Sequence, residues 1–334
     1  MKGKLVLVTG GAGFIGSHLV DWLIRDNEVV VLDNFSSGKI SNVKHHLGRN
    51  GFTLIKGDIL DKKIVREAVK DVDVVIHQAA VVGVKKYVER PLDVMTTNIF
   101  GTHNLVEECL REGVERFVFA STSEVYGKSE RIPLRENEDR VLGATSIARW
   151  CYSTSKAVDE HFLFAYYEAY GFPMVILRYF NVYGPRQETS DYSGVIPIFI
   201  RRVLGGEPPL IHGDGEQTRA FTYISDAVEA TVLAASKKDA VGEVFNVGSK
   251  EEVTINQLAR MIIELSGNEF IEPKHIPYEE FYGESYEDIR RRIPDVKKAE
   301  RVLGFKAKTP LREGLKKTIE WYREYFSQNL TTVR

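Results

Sequence analysis

A glycine-rich turn between a predicted strand and a predicted helix constrains the fold of this chain more than any other feature. An apolar run at residues 4–8 leads into Thr9-Gly10-Gly11-Ala12-Gly13-Phe14-Ile15-Gly16, and apolar residues at helical spacing follow. In that context the glycines form a dinucleotide-binding fingerprint: Gly10 permits a tight turn, Gly13 admits the pyrophosphate, and Gly16 allows close packing of helix on strand. The segment predicts a Rossmann-type α/β fold with phosphates bound at the start of the helix.

An acidic residue after the second apolar run indicates which dinucleotide the chain binds. Asp33 follows the run at residues 28–32 and lies about twenty residues after the central glycine, where a carboxylate accepts hydrogen bonds from the ribose hydroxyls and repels a 2′-phosphate. The next residues, Asn34 to Gly38, include no arginine that would favour a phosphate. The sequence therefore predicts NAD rather than NADP.

The rest of the chain divides into two regions with different sequence patterns. Strand-like runs alternate with helical patterns as far as about residue 180, which predicts a doubly wound parallel sheet. Later, frequent prolines interrupt short elements, which indicates a smaller C-terminal α/β lobe. We expect an NAD-binding domain at residues 1–180, a substrate-binding lobe at residues 181–334, and a late strand at residues 243–247 that rejoins the main sheet.

Tyr152 and Lys156 are the leading candidates for catalysis. At this spacing on a helix the phenol and the ammonium project from one face. A neighbouring cation favours the ionised phenol, so we expect Lys156 to lower the pKa of Tyr152 from about 10 toward neutrality. Tyr152 would then accept a proton from a substrate hydroxyl while hydride leaves the same carbon. Thr122, at the end of the strand at residues 117–120, is expected to hydrogen-bond the reacting oxygen, although a hydroxyl there can also be purely structural.

Composition excludes several other classes of function. The chain has 334 residues and a net charge of −2, with Arg290 to Arg292 as its one short basic cluster, so no nucleic-acid footprint is evident. No apolar stretch reaches the length of a membrane span, and because the first ten residues already form a predicted strand, we expect no signal peptide. Cys109 and Cys151 have no metal-ligand spacing. We expect a cytoplasmic protein without a metal.

Taken together, these motifs resemble those of extended short-chain dehydrogenases/reductases of the nucleotide-sugar epimerase/dehydratase family. The resemblance covers nearly the whole chain and rests on TGGAGFIG, Asp33, HQAA, STSEVYG, YSTSK, RYFNVYGPRQ, GDGEQTRAFTYISDA and VFNVG. In that family NAD stays bound, a nucleotide-linked sugar is oxidised to a keto sugar, and the hydride is usually returned before release. An NAD-sensing protein without activity is the alternative from another class, but such proteins typically lose the Tyr or the Lys.

The resemblance also implies roles for individual residues. Tyr179 and Asn181 would border nicotinamide and sugar, Arg219 and Arg292 would hold the diphosphate, and residues 194–197 would form the nucleobase and sugar loop. The candidate cofactor-binding residues are Gly10, Gly13, Phe14, Ile15, Gly16, Asp33, Asn34, Asp58, Ile59, Ala79, Ala80, Asn98, Tyr152, Lys156 and Tyr179. The candidate substrate-binding residues are Thr122, Ser123, Asn181, Val195, Arg219, Tyr286 and Arg292.

Three reactions remain open at the level of the sequence. UDP-sugar 4-epimerases need only the Thr, the Tyr and the Lys, and the substrate loops resemble theirs, so 4-epimerisation ranks first. UDP-glucuronate decarboxylation follows closely, because the Thr-Ser-Glu form at Glu124 and the segments around Arg149 and Arg292 resemble the decarboxylases. Against it, decarboxylases carry an arginine where this chain has Gly194. The third is 4,6-dehydration of a nucleotide hexose, in which an acid at position 124 assists loss of water.

A homodimer is the expected assembly. The predicted helices that start at Asn98 and Tyr152 are apolar on more than one face, and the extra face has to be buried somewhere. In the family that the chain resembles, the corresponding helices form a four-helix dimer interface.

Overall fold

The main sheet of this computed structural model, which describes residues 1–189, 194–277 and 289–330, is parallel and has seven strands. Its strands are β1 (Leu5–Thr9), β2 (Glu28–Asp33), β3 (Phe52–Lys56), β4 (Val74–His77), β5 (Arg116–Thr122), β6 (Met174–Tyr179) and β11 (Glu243–Val247). Their order is β11-β6-β5-β4-β1-β2-β3, and every neighbouring pair is parallel. The doubly wound parallel sheet expected from the sequence is confirmed.

Helices cover both faces of this sheet. They are α1 (Phe14–Leu23), α2 (Lys62–Val69), α3 (Val84–Glu89), α4 (Pro91–Met95), α5 (Gly101–Glu112), α6 (Cys151–Tyr170), α7 (Val195–Leu204), α8 (Ile224–Ser236), α9 (Ile255–Leu265), α10 (Lys297–Val302) and α11 (Leu311–Leu330). Because side chains alternate along a strand, Val118 of β5 joins one core with α1 and α8, while Phe117 and Phe119 join another with α2, α5 and α6. This double burial explains why the strand sequences are almost continuously apolar.

The carboxyl ends of the central strands lie at one edge of the sheet. Thr9, Asp33, His77, Thr122 and Tyr179 are the last residues of β1, β2, β4, β5 and β6. In an open parallel sheet, ligands bind at this edge, near the point where the strand order reverses. Here β1 pairs with β2 on one side and with β4 on the other, so the reversal lies beside the glycine turn.

Small sheets after residue 180 face that edge. The remaining strands are β7 (Val182–Tyr183), β8 (Leu210–His212), β9 (Thr218–Ala220), β10 (Thr222–Tyr223), β12 (Glu252–Thr254), β13 (Lys274–Ile276) and β14 (Arg291–Arg292). They form the sheets β10-β7, β12-β9-β14 and β13-β8. Strand β11 at residues 243–247 pairs with β6 in the main sheet. The division into domains at residue 180 stays a prediction.

One helix boundary differs from the expectation. Asn98 does not open a helix: it lies in a π-helical turn, Thr96–Phe100, between α4 and α5. Its side-chain Oδ1 accepts a hydrogen bond from Val81 N at 2.8 Å, and its Nδ2 donates to Ser155 Oγ at 3.1 Å. Asn98 therefore fixes the backbone after β4. Within the described ranges, no helix combines the length and apolarity that crossing a membrane requires.

Candidate active site

The glycine turn has the geometry of a dinucleotide cradle. Gly10 has φ +66°, and a Cβ there would lie 2.8 Å from Ala79 N. At Gly16 a Cβ would lie 2.1 Å from Gly10 O, so any side chain would push helix α1 away from the turn. At Gly13 the nearest atom to a Cβ would be Gly10 O at 3.1 Å. Crowding therefore explains the glycines at positions 10 and 16, and the third, Gly13, is the N-cap of α1.

Helix α1 begins without a side-chain cap. Its N-cap is Gly13, and its first turn contains no acidic residue. The first N–H groups of a helix have no partner within the helix, and the helix dipole adds partial positive charge there. A pyrophosphate fits this end, which agrees with the expected role of Phe14, Ile15 and Gly16.

Asp33 anchors the turn while it presents a carboxylate. Its Oδ2 accepts from Ala12 N at 2.9 Å and its Oδ1 from Phe35 N at 2.8 Å. Burial raises the pKa of Asp33, and these two N–H groups partly offset the effect. Gly38 packs so closely that a Cβ would lie 2.8 Å from Asp33 Oδ2.

The remaining candidates for the cofactor flank this cradle. Asn34 Nδ2 donates to Asp58 Oδ2 at 2.7 Å, which ties the ends of β2 and β3 together. Ala79 N donates to Thr9 Oγ1 at 3.2 Å. Ile59 packs against Gly101, where a Cβ would lie 2.4 Å from Ile59 Cδ1. These contacts give the residues a supporting role, and their contact with the cofactor stays a prediction.

A cavity of about 510 Å³ opens beside the cradle and contains the expected catalytic group. Thr122, Tyr152 and Lys156 all line it, together with Phe14, Ile15, Ala80 and Tyr179. Thr122 ends β5 and Tyr152 lies in the first turn of α6, so the sheet and the helix bring together residues thirty positions apart. The structure thus gathers the three groups at one site.

The electrostatics of Tyr152 contradict the sequence-based expectation. Burial raises the pKa of Tyr152 well above its ordinary value, and the negative charge of Glu124 raises it further. A hydrogen bond with Thr122 offsets only part of this, and Lys156 is not among the influences. The expectation that Lys156 lowers the pKa of Tyr152 is therefore wrong for the protein without its ligands, because the phenol is buried next to a carboxylate.

Lys156 is available to a ligand. Its side chain is 2% exposed, and its Nζ lies 4.4 Å from the centroid of the Phe119 ring. Within residues 1–189, 194–277 and 289–330, its ammonium has no hydrogen-bond acceptor. Burial lowers the pKa of Lys156, while Asp159 and Glu160 oppose that effect. A buried ammonium at the cavity wall with unused donors fits a ribose hydroxyl, so the site accommodates a dinucleotide.

Glu124 is held between two arginines. Arg149 Nη1 donates to its Oε2 and Arg292 Nη1 to its Oε1, both at 2.7 Å. Burial alone would raise the pKa of Glu124, but the two guanidinium groups hold it far below the usual range. Glu124 is consequently a fixed carboxylate. Arg149, which comes from the 3₁₀ turn before α6, was not among the sequence candidates, although its place three residues before Tyr152 was a usable signal.

Tyr87 was also missed by the sequence analysis. Its ring stacks on that of Tyr152, with centroids 4.6 Å apart and planes at 5°. Tyr87 is 3% exposed, lies in α3 and lines the cavity. No local motif marks it, because the contact depends on how α3 packs against the start of α6.

Most of the expected substrate residues line the same cavity. Ser123, Asn181, Val195, Arg219 and Arg292 are all in its wall. Arg219 and Arg292 are neighbours on β9 and β14, but Arg292 is engaged with Glu124, so its expected role as a diphosphate clamp stays a prediction. Tyr286 lies outside the described residues.

Tyr179 and Asn181 are held by neighbouring groups. The Tyr179 hydroxyl hydrogen-bonds with Thr231 Oγ1 at 2.7 Å and accepts from Gln78 Nε2 at 3.2 Å. Asn181 Nδ2 donates to Ala220 O at 2.8 Å. Both side chains are therefore fixed before any substrate arrives.

One group of potential metal ligands lies away from the cavity among the described residues. The ligand atoms of Asp21, His45 and His46 lie within 4.8 Å of one another. Asp21 hydrogen-bonds with both imidazoles, at 2.9 and 2.7 Å, and pairs with Arg186 at 2.7 Å. Because Arg186 already supplies a cation to Asp21, we assign no metal there.

Comparison with known proteins finds one matching family and several similar nucleotide-sugar enzymes. The model of the NAD dependent epimerase/dehydratase family matches residues 6–248. A UDP-N-acetyl-α-D-glucosaminuronate decarboxylase of Bacillus cytotoxicus is 44% identical over 325 residues, which cover 96% of this chain and 98% of the relative.

Two solved structures are similarly close. A UDP-N-acetylglucosamine 4-epimerase of Methanobrevibacter ruminantium M1 has a TM-score of 0.88 and 37% identity, with 97% of this chain and 100% of that chain covered. A UDP-glucose 4-epimerase of Thermus thermophilus, solved in complex with NAD, has a TM-score of 0.82 and 36% identity, with 96% and 99% covered.

Proposed function

This chain belongs to the NAD-dependent epimerase/dehydratase family, with NAD as its cofactor, and within that family we propose that it decarboxylates a UDP-linked hexuronate. The substrate class is UDP-glucuronate or its 2-acetamido counterpart. This reverses the order of the two leading reactions in the sequence analysis. Support comes from the charge of the site and from the 44% identity to a decarboxylase over nearly the whole chain.

The observation that carries the proposal is the buried group Arg149–Glu124–Arg292. Two guanidinium groups converge on one carboxylate, both through bonds of 2.7 Å. The hydroxymethyl group of a hexose gains little from a nearby guanidinium, whereas the carboxylate of a hexuronate is attracted to one. Arg292 itself lines the cavity and is one of the cations that a substrate carboxylate would meet.

The residues present can carry out such a reaction. NAD, when bound, supplies the acceptor and the later donor of hydride. Tyr152 takes the proton of the sugar C4 hydroxyl, and Thr122 hydrogen-bonds the same oxygen. Once C4 is a ketone, the bond between C5 and the carboxylate carbon breaks, carbon dioxide leaves, and the electron pair moves onto the C4 oxygen. Thr122 and the protonated Tyr152 stabilise that negative charge, after which C5 takes up a proton.

The state of Glu124 disfavours 4,6-dehydration. That reaction needs an acid or base that exchanges protons with the sugar. The two arginines hold the pKa of Glu124 far below its usual range, so it remains a carboxylate with both oxygens engaged. Its part here is that of a counter-ion which positions Arg292.

UDP-sugar 4-epimerisation is the second candidate, and Gly194 favours it. This residue lines the cavity, and a Cβ there would meet only Gln187 Nε2, at 3.4 Å. An arginine expected in decarboxylases is therefore missing, and the open wall leaves room for a keto sugar to turn over. The solved 4-epimerases with 36–37% identity point the same way.

Product masses, together with chromatographic separation of C4 epimers, distinguish these reactions. The enzyme, with NAD retained, is incubated separately with UDP-glucuronate, UDP-N-acetylglucosaminuronate, UDP-glucose and UDP-N-acetylglucosamine. We expect one of the two uronates to lose the mass of one carbon dioxide. Conversion of a neutral sugar into its C4 epimer without change of mass, with both uronates untouched, would establish the second candidate instead.

A homodimer is proposed as the assembly. Phe100 before α5 and Phe162 and Tyr170 on α6 are 60%, 38% and 66% exposed, an unusual amount of aromatic surface on neighbouring elements. A second copy of the chain that packs the same helices against these residues would bury it.

A further inference from the structure

Asp159 is an acidic residue in an unexpected place. It lies on α6, is 0% exposed, and within the described ranges neither of its carboxylate oxygens has a hydrogen-bond partner. Taking a carboxylate out of water without hydrogen bonds is costly, and nearly all buried polar groups have partners. Such a group calls for a specific compensating charge.

The cation that faces Asp159 is Lys156. The two residues are three positions apart on α6 and so lie on the same side of the helix. Lys156 is equally enclosed, and its ammonium has no acceptor in the part of the chain that the structure describes. Burial raises the pKa of Asp159, and Lys156 is the largest influence that lowers it.

The next acid along the helix cannot take this role. Glu160 is engaged by Arg178 of β6, with Nη2–Oε2 at 2.6 Å and Nε–Oε1 at 3.0 Å. The hydroxyl of Ser121 on β5 also donates to Glu160. Its charge is therefore already balanced, and Asp159 is the anion left for Lys156.

The other groups that face this pair leave the assignment unchanged. His77 on β4 is neutral, since burial and then Lys156 hold its pKa well below the ordinary value. Glu124 is bound by two arginines. Thr102 on α5 faces Asp159 but donates its proton to Asn98 O at 2.6 Å. Tyr152 shares the cavity with Lys156 as an uncharged phenol, and the charge of Asp159 adds to the raised pKa of that phenol after burial and Glu124.

We propose that Asp159 is a positioning residue, whose buried carboxylate is the counter-ion that keeps Lys156 an ammonium in its enclosed site. Without it, enclosure would favour the neutral amine, which carries no charge to offer a bound ligand. The proposal rests on the proposed function only where turnover is measured, and its first test needs no substrate.

That first test is a double-mutant cycle on thermal stability, with the variants Asp159→Asn, Lys156→Met and their combination. We expect Asp159→Asn alone to lower the midpoint by several degrees, because it leaves an uncompensated buried cation. In the Lys156→Met background, Asp159→Asn should lower the midpoint only slightly or raise it. If Asp159→Asn does not fold but the double variant does, the coupling between the two residues is supported even more strongly. Equal losses in the two backgrounds, or a double variant that does not fold when Lys156→Met does, would overturn the proposal.

The second test is the pH profile of kcat, measured on whichever nucleotide sugar the enzyme turns over. Because an adjacent anion supports the charged amine, Asp159→Asn should move the alkaline limb to lower pH, and Asp159→Glu should restore part of the shift. Asp226→Asn is the matched control: Asp226 is a 3% exposed acid on α8 whose Oδ2 accepts from Thr309 N at 3.0 Å, remote from Lys156. It should lower stability without moving the limb. An unmoved limb in Asp159→Asn, or equal shifts in both variants, would reject the counter-ion role.

Discussion

At the scale of the residue, the chemistry of the site depends on Tyr152, a buried phenol whose ring stacks on that of Tyr87. Tyr152, Lys156 and Thr122 could be chosen from motifs, because spacing along a helix and the end of a strand are local properties. The raised pKa of Tyr152 could not be predicted from motifs, because it depends on burial and on Glu124, which another element contributes. A positive charge that lowers the pKa of Tyr152 must therefore come from bound ligands, or from Lys156 once those ligands are bound.

Removal of the Tyr152 hydroxyl is the first prediction at this scale. Tyr152→Phe keeps the ring and its stacking on Tyr87 but removes the proton acceptor. We expect kcat to fall by about two to four orders of magnitude, while NAD remains bound. Turnover and the NAD released on denaturation are the measurements. A variant with nearly normal kcat would show that another group acts as the base.

A second prediction concerns Glu124. Glu124→Gln leaves two buried guanidinium groups without their carboxylate, so we expect the free energy of unfolding to fall by about 3–5 kcal/mol. Urea unfolding measures this, and Arg291→Gln is the control, because its ion pair with Glu252 is solvent-exposed and should be worth less than about 1 kcal/mol. Equal losses in the two variants would contradict a buried clamp. This structural cost also means that lost activity in Glu124→Gln does not by itself indicate a dehydratase.

At the scale of the element, the parallel strands were predictable and the packing between helices was not. Runs such as Met174–Tyr179 are short and mostly apolar, and that pattern can be read without knowledge of neighbouring segments. The π-helical turn at Thr96–Phe100 and the stacking of α3 on the start of α6 depend on contacts between distant segments. Tyr87, Arg149 and Asn98 consequently have surroundings that no local pattern reveals.

The junction of β1 and α1 provides the prediction for this scale. Gly16→Ala would put a methyl carbon 2.1 Å from Gly10 O, both backbone-fixed, so the helix must move off the turn. We expect loss of NAD binding, measured by calorimetry on protein freed of its cofactor. Gly113→Ala is the control, because that glycine has φ +70° but open space around it, and should lose about 1–2 kcal/mol of stability with NAD binding intact. Normal NAD affinity in Gly16→Ala would refute the close approach.

At the scale of the whole molecule, the seven-stranded sheet and the small C-terminal sheets converge on one cavity. Tyr152 and Lys156 come from α6, whereas Arg219 and Arg292 come from β9 and β14, more than sixty positions later. The sequence predicted both sets, but the ion pair that joins Arg292 to Glu124 across them appeared only in the folded chain. The residues that decide between the candidate reactions lie where these elements meet. Motifs alone therefore left three reactions open.

The proposed dimer gives a prediction at the same scale. Phe162→Glu puts a charge into the aromatic face of α6, so we expect the dimer to dissociate into monomers, as read by light scattering after size-exclusion chromatography. Phe270→Glu is the control, since Phe270 is 80% exposed but lies outside that face. A wild-type protein that is monomeric at all concentrations would contradict the assembly.

Decarboxylation itself is tested most directly by following the carboxyl carbon. UDP-glucuronate and UDP-N-acetylglucosaminuronate, each isotopically labelled at C6, are incubated with the NAD-bound enzyme, and labelled carbon dioxide is collected beside a Tyr152→Phe control. We expect labelled carbon dioxide from at least one of the two substrates with the wild type and almost none with the variant. Quantitative retention of the label in the nucleotide sugar, for both substrates and with turnover of a neutral UDP-sugar in the same preparation, would contradict it.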